Sequence, residues 1–330
     1  MLLTRPELDR LRGRLLTWYD ATRRDLPWRR RPRASDPYAI WVSEVMLQQT
    51  QVAVVIPYYE RFLKRFPNVK RLAAAEEVEV LALWSGLGYY RRARQLRAAA
   101  VEIGRRHAGR FPRAFEALLE LPGIGRYTAG AVLSMAHGVA VPAVDGNVVR
   151  VYRRMIGGSE VRLRPIEAAV ALWVDPLRPG DFNQALMELG ATVCTPRTPN
   201  CHSCPLQPMC RTRGEGGPAT RKQAKLRSLT PRYALQQRTT RRGLVVGLVQ
   251  RSPTAALMPG MWELPPHSGV GSVLGTVTHA ITTSRIRAEI VAPATGKRPP
   301  AGKWMRKEEA LTAPLTGLTR KVLRRFLGWG

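Results

Sequence analysis

The chain has 330 residues, enough for about two domains that each bury a sizeable apolar core, so it is not a miniprotein held together by staples. Lys and Arg total 53 against 24 Asp and Glu, a formal charge of +29, yet 45% of the residues are hydrophobic. That combination excludes wholesale disorder and points to a polyanionic partner, either nucleic acid or an anionic membrane surface. No stretch reaches the roughly 18 consecutive apolar residues of a membrane span. The start, with Glu7 and Asp9, lacks the apolar core of a secretion signal, so a cytoplasmic setting is expected.

Through about residue 210 the pattern is helix after helix, with Ala and Leu at helical spacing and Pro or Gly at the joints, which predicts an all-α half. Asp36-Pro37 pairs a capping side chain with the residue favoured at the first helical position and opens a helix predicted to run to Pro57. Within it Ile40, Glu44 and Leu47 share one stripe, which places Glu44 on an apolar face. Two readings follow: a buried ion pair with an Arg, or a carboxyl whose pKa is raised by desolvation until it donates a proton near neutrality. Further helices are predicted over 73–83, 91–105, 114–120, 128–136, 148–156, 165–174 and 182–194.

Leu121-Pro122-Gly123-Ile124-Gly125 joins two of these helices. Gly123 and Gly125 permit either an ordinary tight turn or a helix-hairpin-helix, whose free N–H groups grip a DNA phosphate without reading sequence. Asp145, in Val144-Asp145-Gly146-Asn147, leads into a helix. It can serve as an N-cap and also as a carboxylate held ionised by the helix dipole, able to stabilise a cation.

All four cysteines, Cys194, Cys201, Cys204 and Cys210, fall in one C-x6-C-x2-C-x5-C stretch. A disulfide pair is disfavoured in a chain that is not secreted, and a metal site is favoured. Four thiolates suit zinc or iron-sulfur, but a zinc ribbon shows two C-x-x-C knuckles and this stretch has one.

Between Arg211 and Arg242 the periodicity stops and ten basic residues stand against one acid, the mark of a basic linker. Beyond it, 244–249 and 275–283 read as strands and 318–327 as a closing helix, giving a smaller α+β domain. The expected organisation is 1–212, an all-α domain; 213–231, linker; and 232–330, the α+β domain.

Leu26-Pro27-Trp28-Arg29, the run Ser43-Glu44-Val45-Met46-Leu47-Gln48-Gln49-Thr50 within residues 36–52, and Trp84-Ser85-Gly86-Leu87-Gly88-Tyr89-Tyr90-Arg91 closely resemble the MutY family of adenine DNA glycosylases in the endonuclease III superfamily. The resemblance continues through the hairpin, Asp145, residues 182–190 and the cysteine stretch, and covers about the first 210 residues.

It implies a helix-hairpin-helix glycosylase domain that holds one 4Fe-4S cluster on Cys194, Cys201, Cys204 and Cys210. The implied partner is double-stranded DNA with adenine opposite 8-oxoguanine or guanine, bound by a monomer on the bacterial nucleoid, with no membrane role. Glu44 matches the acid that protonates adenine at N7 and then helps to activate water. Asp145 matches the carboxylate that stabilises, or transiently bonds, the sugar cation, and Tyr127 and Asn147 match residues that orient this pair. Bifunctional relatives carry a nucleophilic Lys where Tyr127 stands, so a monofunctional glycosylase is implied. Gln49 and Tyr89 match the residues that intercalate when the base flips, with Leu87 nearby, and Thr50 with Tyr89 is implied to contact DNA and to supply part of the preference for 8-oxoguanine. Trp28, Arg29, Leu47, Val52 and Glu188 match residues that line the base pocket.

The C-terminal part resembles the family's Nudix-like 8-oxoguanine recognition domain through residues 257–265. Val277-Thr278-His279 stands in place of its Phe-Ser-His loop, and the stretch from 265 to 276 is short. A reduced recognition domain without phosphohydrolase activity is implied, with Thr278 and His279 toward DNA. The alternatives are a thymine or other mismatch glycosylase of the same superfamily, or a non-catalytic DNA binder. Glu44 with Asp145 argues against the binder, and Glu44 in its motif, with the second domain, argues for adenine.

Overall fold

The computed structural model describes residues 3–158, 163–213, 227–281, 284–293 and 302–329. The chain divides into two compact units, Met1–Ala73 with Ala98–Lys222 and Ala74–Arg97 with Gln223–Gly330. Residues 214–226, most of the expected linker, lie outside the described residues. No helix among the described residues is long and apolar enough to cross a membrane.

The helices up to residue 192 are α1 (Arg5–Thr22), α2 (Pro37–Leu47), α3 (Val52–Arg65), α4 (Val69–Ala73), α5 (Glu77–Trp84), α6 (Arg91–His107), α7 (Phe115–Leu119), α8 (Arg126–His137), α9 (Gly146–Ile156), α10 (Leu163–Trp173) and α11 (Pro179–Thr192). Asp36 caps α2 by accepting from the Tyr38 N–H at 3.0 Å. Every α2 residue from Tyr38 to Met46 is buried, so α2 is the central helix of its unit rather than an amphipathic surface helix.

The helix expected over 37–57 is two helices. Gln49 takes φ 57°, a left-handed conformation that ends α2, and Pro57 lies inside α3 instead of closing a helix. The helix expected over 73–83 is likewise split between α4 and α5.

Two close approaches set the path of the chain toward Asp145. A Cβ on Gly130 of α8 would lie 2.1 Å from the Pro142 carbonyl oxygen, so only glycine lets the 139–145 segment lie against α8. Asn183 of α11, fully buried, accepts from the Ala143 N–H at 3.0 Å and donates to the Val141 carbonyl at 2.8 Å. A buried amide satisfied on both sides fixes that segment in one register. An apolar core that includes Leu11, Leu15, Val151, Ile166, Val170, Phe182 and Leu186 ties α1, α9, α10 and α11 together.

The second unit is built from β1 (Arg227–Leu229), β2 (Arg232–Ala234), β3 (Gln237–Thr240), β4 (Gly243–Gln250), β5 (Trp262–Glu263), β6 (Gly271–Ile281), β7 (Ser284–Pro293), β8 (Gly302–Arg306), α12 (Lys307–Thr312) and α13 (Gly317–Leu327). In one sheet β7 pairs antiparallel with β6 and parallel with β1 and β2; in the other β4 pairs antiparallel with β3, β5 and β8. Strand β1 thus falls at the end of the stretch expected to be linker, because pairing with β7 orders it. The core between the sheets and α13 contains Val246, Leu248, Ile290, Met305, Val322 and Leu323.

Residues 74–97, expected within the all-α domain, belong to this second unit. Ser85 Oγ donates to the Leu315 carbonyl at 2.7 Å, and Arg94 spans Glu77 at 2.8 Å and the Pro259 carbonyl at 2.6 Å. Helical periodicity carries no information about which compact unit a helix joins.

Candidate active site

A cavity of ≈ 870 Å³ opens within the first unit. Its walls come from the Leu26–Arg29 segment, the end of α2 and the turn after it, the first turns of α8 and α9, and one face of α11. It gathers Trp28, Arg29, Glu44, Leu47, Gln49, Thr50, Val52, Tyr127, Asp145, Asn147 and Glu188, every first-unit residue expected in the catalytic pair, its orienting pair, the base pocket and the Gln49–Thr50 edge.

Glu44 is only 5% exposed, and the Tyr127 hydroxyl donates to its Oε2. Burial is the main cause that pushes the Glu44 carboxyl up to about 7; Asp145 adds to it, while Tyr127 and Arg29 pull the other way. Arg29 influences Glu44, but the hydrogen-bond partner of its carboxyl is a phenol rather than a guanidinium. Tyr127 in turn stays protonated, since burial and the two carboxylates drive its pKa well above the usual value.

Asp145 is the N-cap of α9 and more than that. Its Oδ1 accepts from the Val148 N–H at 2.8 Å and its Oδ2 from Asn147 Nδ2 at 2.7 Å. Burial raises its pKa, and these hydrogen bonds and Arg150 oppose the rise. Arg150 fixes Asn147 from behind: its Nη2 donates to Asn147 Oδ1 and to the Gly190 carbonyl, both at 2.7 Å. The two carboxyls thus differ in kind, one set up to carry a proton near neutrality and the other held in a cradle of donors. That division of labour is the one that cleaves glycosidic bonds.

Glu188 lines the cavity, but its carboxylate is occupied by Arg24 at 2.6 and 2.9 Å and Arg29 at 2.9 Å. Burial works against its charge, yet the two guanidiniums hold it down at about 2. It acts as the anchor that aims Arg29, which also donates to Gln184 Oε1 at 3.0 Å.

Arg24, Gln184, Met187 and Arg150 escaped the sequence reading. Gln184, Met187 and Glu188 share a face of α11 by i, i+3, i+4 spacing, and Arg150 follows Asn147 by three on α9, so helical spacing around the residues already marked would have found three of the four.

Asn147 and α11 meet at Gly190, where a Cβ would lie 2.5 Å from Asn147 Cβ and 3.1 Å from its Cα. The Gly190→Ala change is expected to push the start of α9 away, cost about 1–3 kcal/mol, and slow any reaction that needs Asp145 in place. Denaturant titration together with a single-turnover assay checks it; an unchanged midpoint and rate would mean that the helices separate freely.

The remaining expected residues lie elsewhere. Gly123 takes φ 75° in the hairpin before α8, and Gly125 is the α8 N-cap. In the second unit Tyr89, at φ 49°, is 41% exposed, whereas Leu87, expected at the DNA, is buried. Thr278 and His279 lie on β6, the first exposed and the second half-buried.

The four cysteines form no disulfide and line one separate cavity with Arg154, Leu189 and Leu206. Arg154, 3% exposed, donates to Cys194 Sγ at 3.2 Å and to the carbonyls of Thr195 and Pro196 at 2.7 and 2.9 Å, so it braces the loop between the first two cysteines. Among the described residues no three His, Cys, Asp or Glu side chains gather as the ligand set of a single metal ion.

Residues 42–175 match the family model of the HhH-GPD superfamily base excision DNA repair proteins. The human adenine DNA glycosylase is 51% identical over 223 residues, 63% of this chain but 40% of the human protein, so the match spans less than half of that relative's length. The adenine DNA glycosylase of Mycolicibacterium smegmatis is 47% identical over 208 residues, which cover 62% of this chain and 70% of that protein. A solved thermostable thymine-DNA glycosylase superposes with a TM-score of 0.58 at 31% identity, covering 62% of this chain and 96% of that one. With a cavity that carries both carboxyls and a bacterial relative matched over most of its length, the chain belongs to the adenine DNA glycosylase family of helix-hairpin-helix base excision repair proteins.

Proposed function

We propose that the protein is a monofunctional adenine DNA glycosylase that removes adenine placed opposite 8-oxoguanine or guanine, acting as a monomer on double-stranded DNA. The observation that carries this reading is the buried Glu44 carboxyl, tied to Tyr127 and sharing one cavity with the cradled Asp145. Adenine leaves the stack at a cost of about a few kcal/mol and enters the cavity, with Gln49 at the cavity edge filling the gap it vacates. Glu44 gives its proton to the base, the C–N bond breaks, and Asp145 balances the cationic sugar until water adds; Glu44 then takes the proton that water releases. Tyr127 cannot form a Schiff base, so no lyase step follows.

The test is a duplex with one adenine opposite 8-oxoguanine, incubated with the protein and then treated with alkali. Strand cleavage only after alkali is expected. Excision of thymine instead, binding without excision, or cleavage without alkali would overturn the reading in its three separate parts.

The four thiols fit a 4Fe-4S cluster, because a cubane takes one thiolate at each iron and needs no convergence on one ion. Cys194, Cys201, Cys204 and Cys210 would hold it, with Arg154 donating to the first. When bound, the cluster would supply a rigid cross-link for a loop whose Leu206 packs into the helical core. Protein purified without oxygen is expected to be brown with four irons per chain, and Cys204→Ser to lose iron and the visible absorption together; a colourless zinc protein would refute the assignment.

For the strand-rich unit we propose a reduced Nudix-like role in reading 8-oxoguanine through Thr278 and His279. Thr278→Ala is expected to narrow the preference for 8-oxoguanine over guanine, and equal discrimination would show that this strand is idle.

A further inference from the structure

Glu44 has a second neighbourhood. Behind it lies another cavity, of ≈ 250 Å³, which shares Trp28, Arg29, Glu44 and Gln184 with the larger one. Its far walls are α1, α8 and the start of α11, and at its outer end stand the part-exposed Arg178 and Leu177, the latter 90% exposed. Arg178 is locked there by Asp20 at 2.7 and 2.8 Å and Asp181 at 2.8 and 3.0 Å, so this end is fixed across α1 and α11. The walls carry polar atoms that water can use, among them those of Ser43, Gln184 and Asp181. Glu44 therefore stands in the partition between a front cavity and a rear one that reaches an exposed rim.

We infer that the rear cavity is a water-filled route through which Glu44 exchanges protons with solvent while DNA covers the front cavity. The inference rests on the glycosylase reading above and adds a function to a space that reading does not use. During hydrolysis Glu44 gives one proton to the base and recovers one from the attacking water, so the cycle needs none from outside. A proton from solvent is required only when the complex assembles around an ionised carboxylate, and near neutrality that is a large fraction of molecules, since Glu44 is pushed up to about 7. Without a rear route those complexes would wait until the DNA left. With one, a proton carried by water from the rim reaches the Glu44 oxygen and the carboxyl is restored in place.

The titratable and charged groups that act on Glu44 are Tyr127 from α8, Asp145 from the N-cap of α9 and Arg29 from the segment before α2. Besides Glu44 and Arg29, the charged and titratable groups along the rear cavity are Tyr19 and Arg23 of α1, Arg178 and Asp181. Tyr19, raised to about 12 mainly by burial, stays a neutral phenol through the working range.

The experiment is a pH jump on the preassembled complex. Full-length protein is bound to the adenine–8-oxoguanine duplex at alkaline pH, where Glu44 is ionised. The sample is then dropped to neutral pH with excess unlabelled trap duplex, and base release is followed in a single turnover. The wild type is expected to respond at the rate of protein premixed at neutral pH. The Ala34→Phe change, which fills the rear cavity from a part-buried wall position, is expected to keep the premixed rate in the fraction of complexes that assemble with Glu44 protonated, but to respond to the jump about tenfold or more slowly. A wild type whose jumped complex reacts only as fast as DNA dissociates overturns the inference with no variant needed. An Ala34→Phe protein that keeps the prompt response overturns it as well. If neither protein releases adenine even when premixed at neutral pH, the failure lies with the glycosylase reading instead.

Discussion

Glu44→Gln is expected to lower the single-turnover rate of adenine release by about 10²–10⁴-fold while leaving affinity for the mismatched duplex within a few-fold. Gln keeps the shape of the side chain and still accepts from the Tyr127 hydroxyl, so the wall of the cavity survives; what is lost is the proton. The same substitution is expected to stabilise the fold at alkaline pH. A carboxyl raised from 4.5 to about 7 costs nothing below its unfolded pKa, where both states are protonated. As pH rises through that window only the unfolded chain ionises freely, and above it the folded protein carries the whole penalty, about 3 kcal/mol. The variant should melt at the wild-type temperature near pH 4 and several degrees higher at pH 8. Undiminished cutting would remove Glu44 from the chemistry, and equal melting at both pH values would show that its carboxyl is solvated.

The same two carboxyls set the pH profile of the wild type. Activity is expected to fall above about pH 7 as Glu44 ionises, and to fall on the acid side as Asp145 takes up a proton. Because burial raises Asp145, that acid limb lies above the ordinary Asp value of 3.8.

How far the sequence foretold this site depended on how local the cause was. Glu44 was legible because an acid in an apolar stripe contradicts its own helix, and Asp145 because a capping position is written in adjacent residues. The Gln48–Gln51 break was not legible: Gln49, whose left-handed backbone stands between α2 and α3, has no glycine-like signature. The placement of residues 74–97 with the strands was equally hidden, because the bonds from Ser85 to Leu315 and from Arg94 to Pro259 join positions more than 150 residues apart. Glu188 was placed in the pocket, yet its work there depends on Arg24, a residue that reads as one more surface charge in a chain with 53 basic side chains.

Glu188 therefore gives the second large effect. Its side chain is 2% exposed and receives three charge-assisted bonds from two guanidiniums, so Glu188→Gln leaves Arg24 and Arg29 converging on a neutral amide. Breaking the pair from one side costs about 1–3 kcal/mol, less than for a fully buried pair because Arg24 is 38% exposed and keeps water when its partner is lost, while Arg29 does not. The denaturant midpoint should fall accordingly. The electrostatic consequence reaches Glu44: Arg29 already favours the ionised form of that carboxyl, and deleting the negative charge that offsets Arg29 strengthens its field. The alkaline limb of the rate profile is then expected to move to lower pH, so that the variant loses activity at neutrality beyond what its lowered stability explains and recovers part of it under mildly acid conditions. A variant that is destabilised but keeps the wild-type limb would show that the Arg29 charge is screened from Glu44, and that Glu188 serves the fold alone.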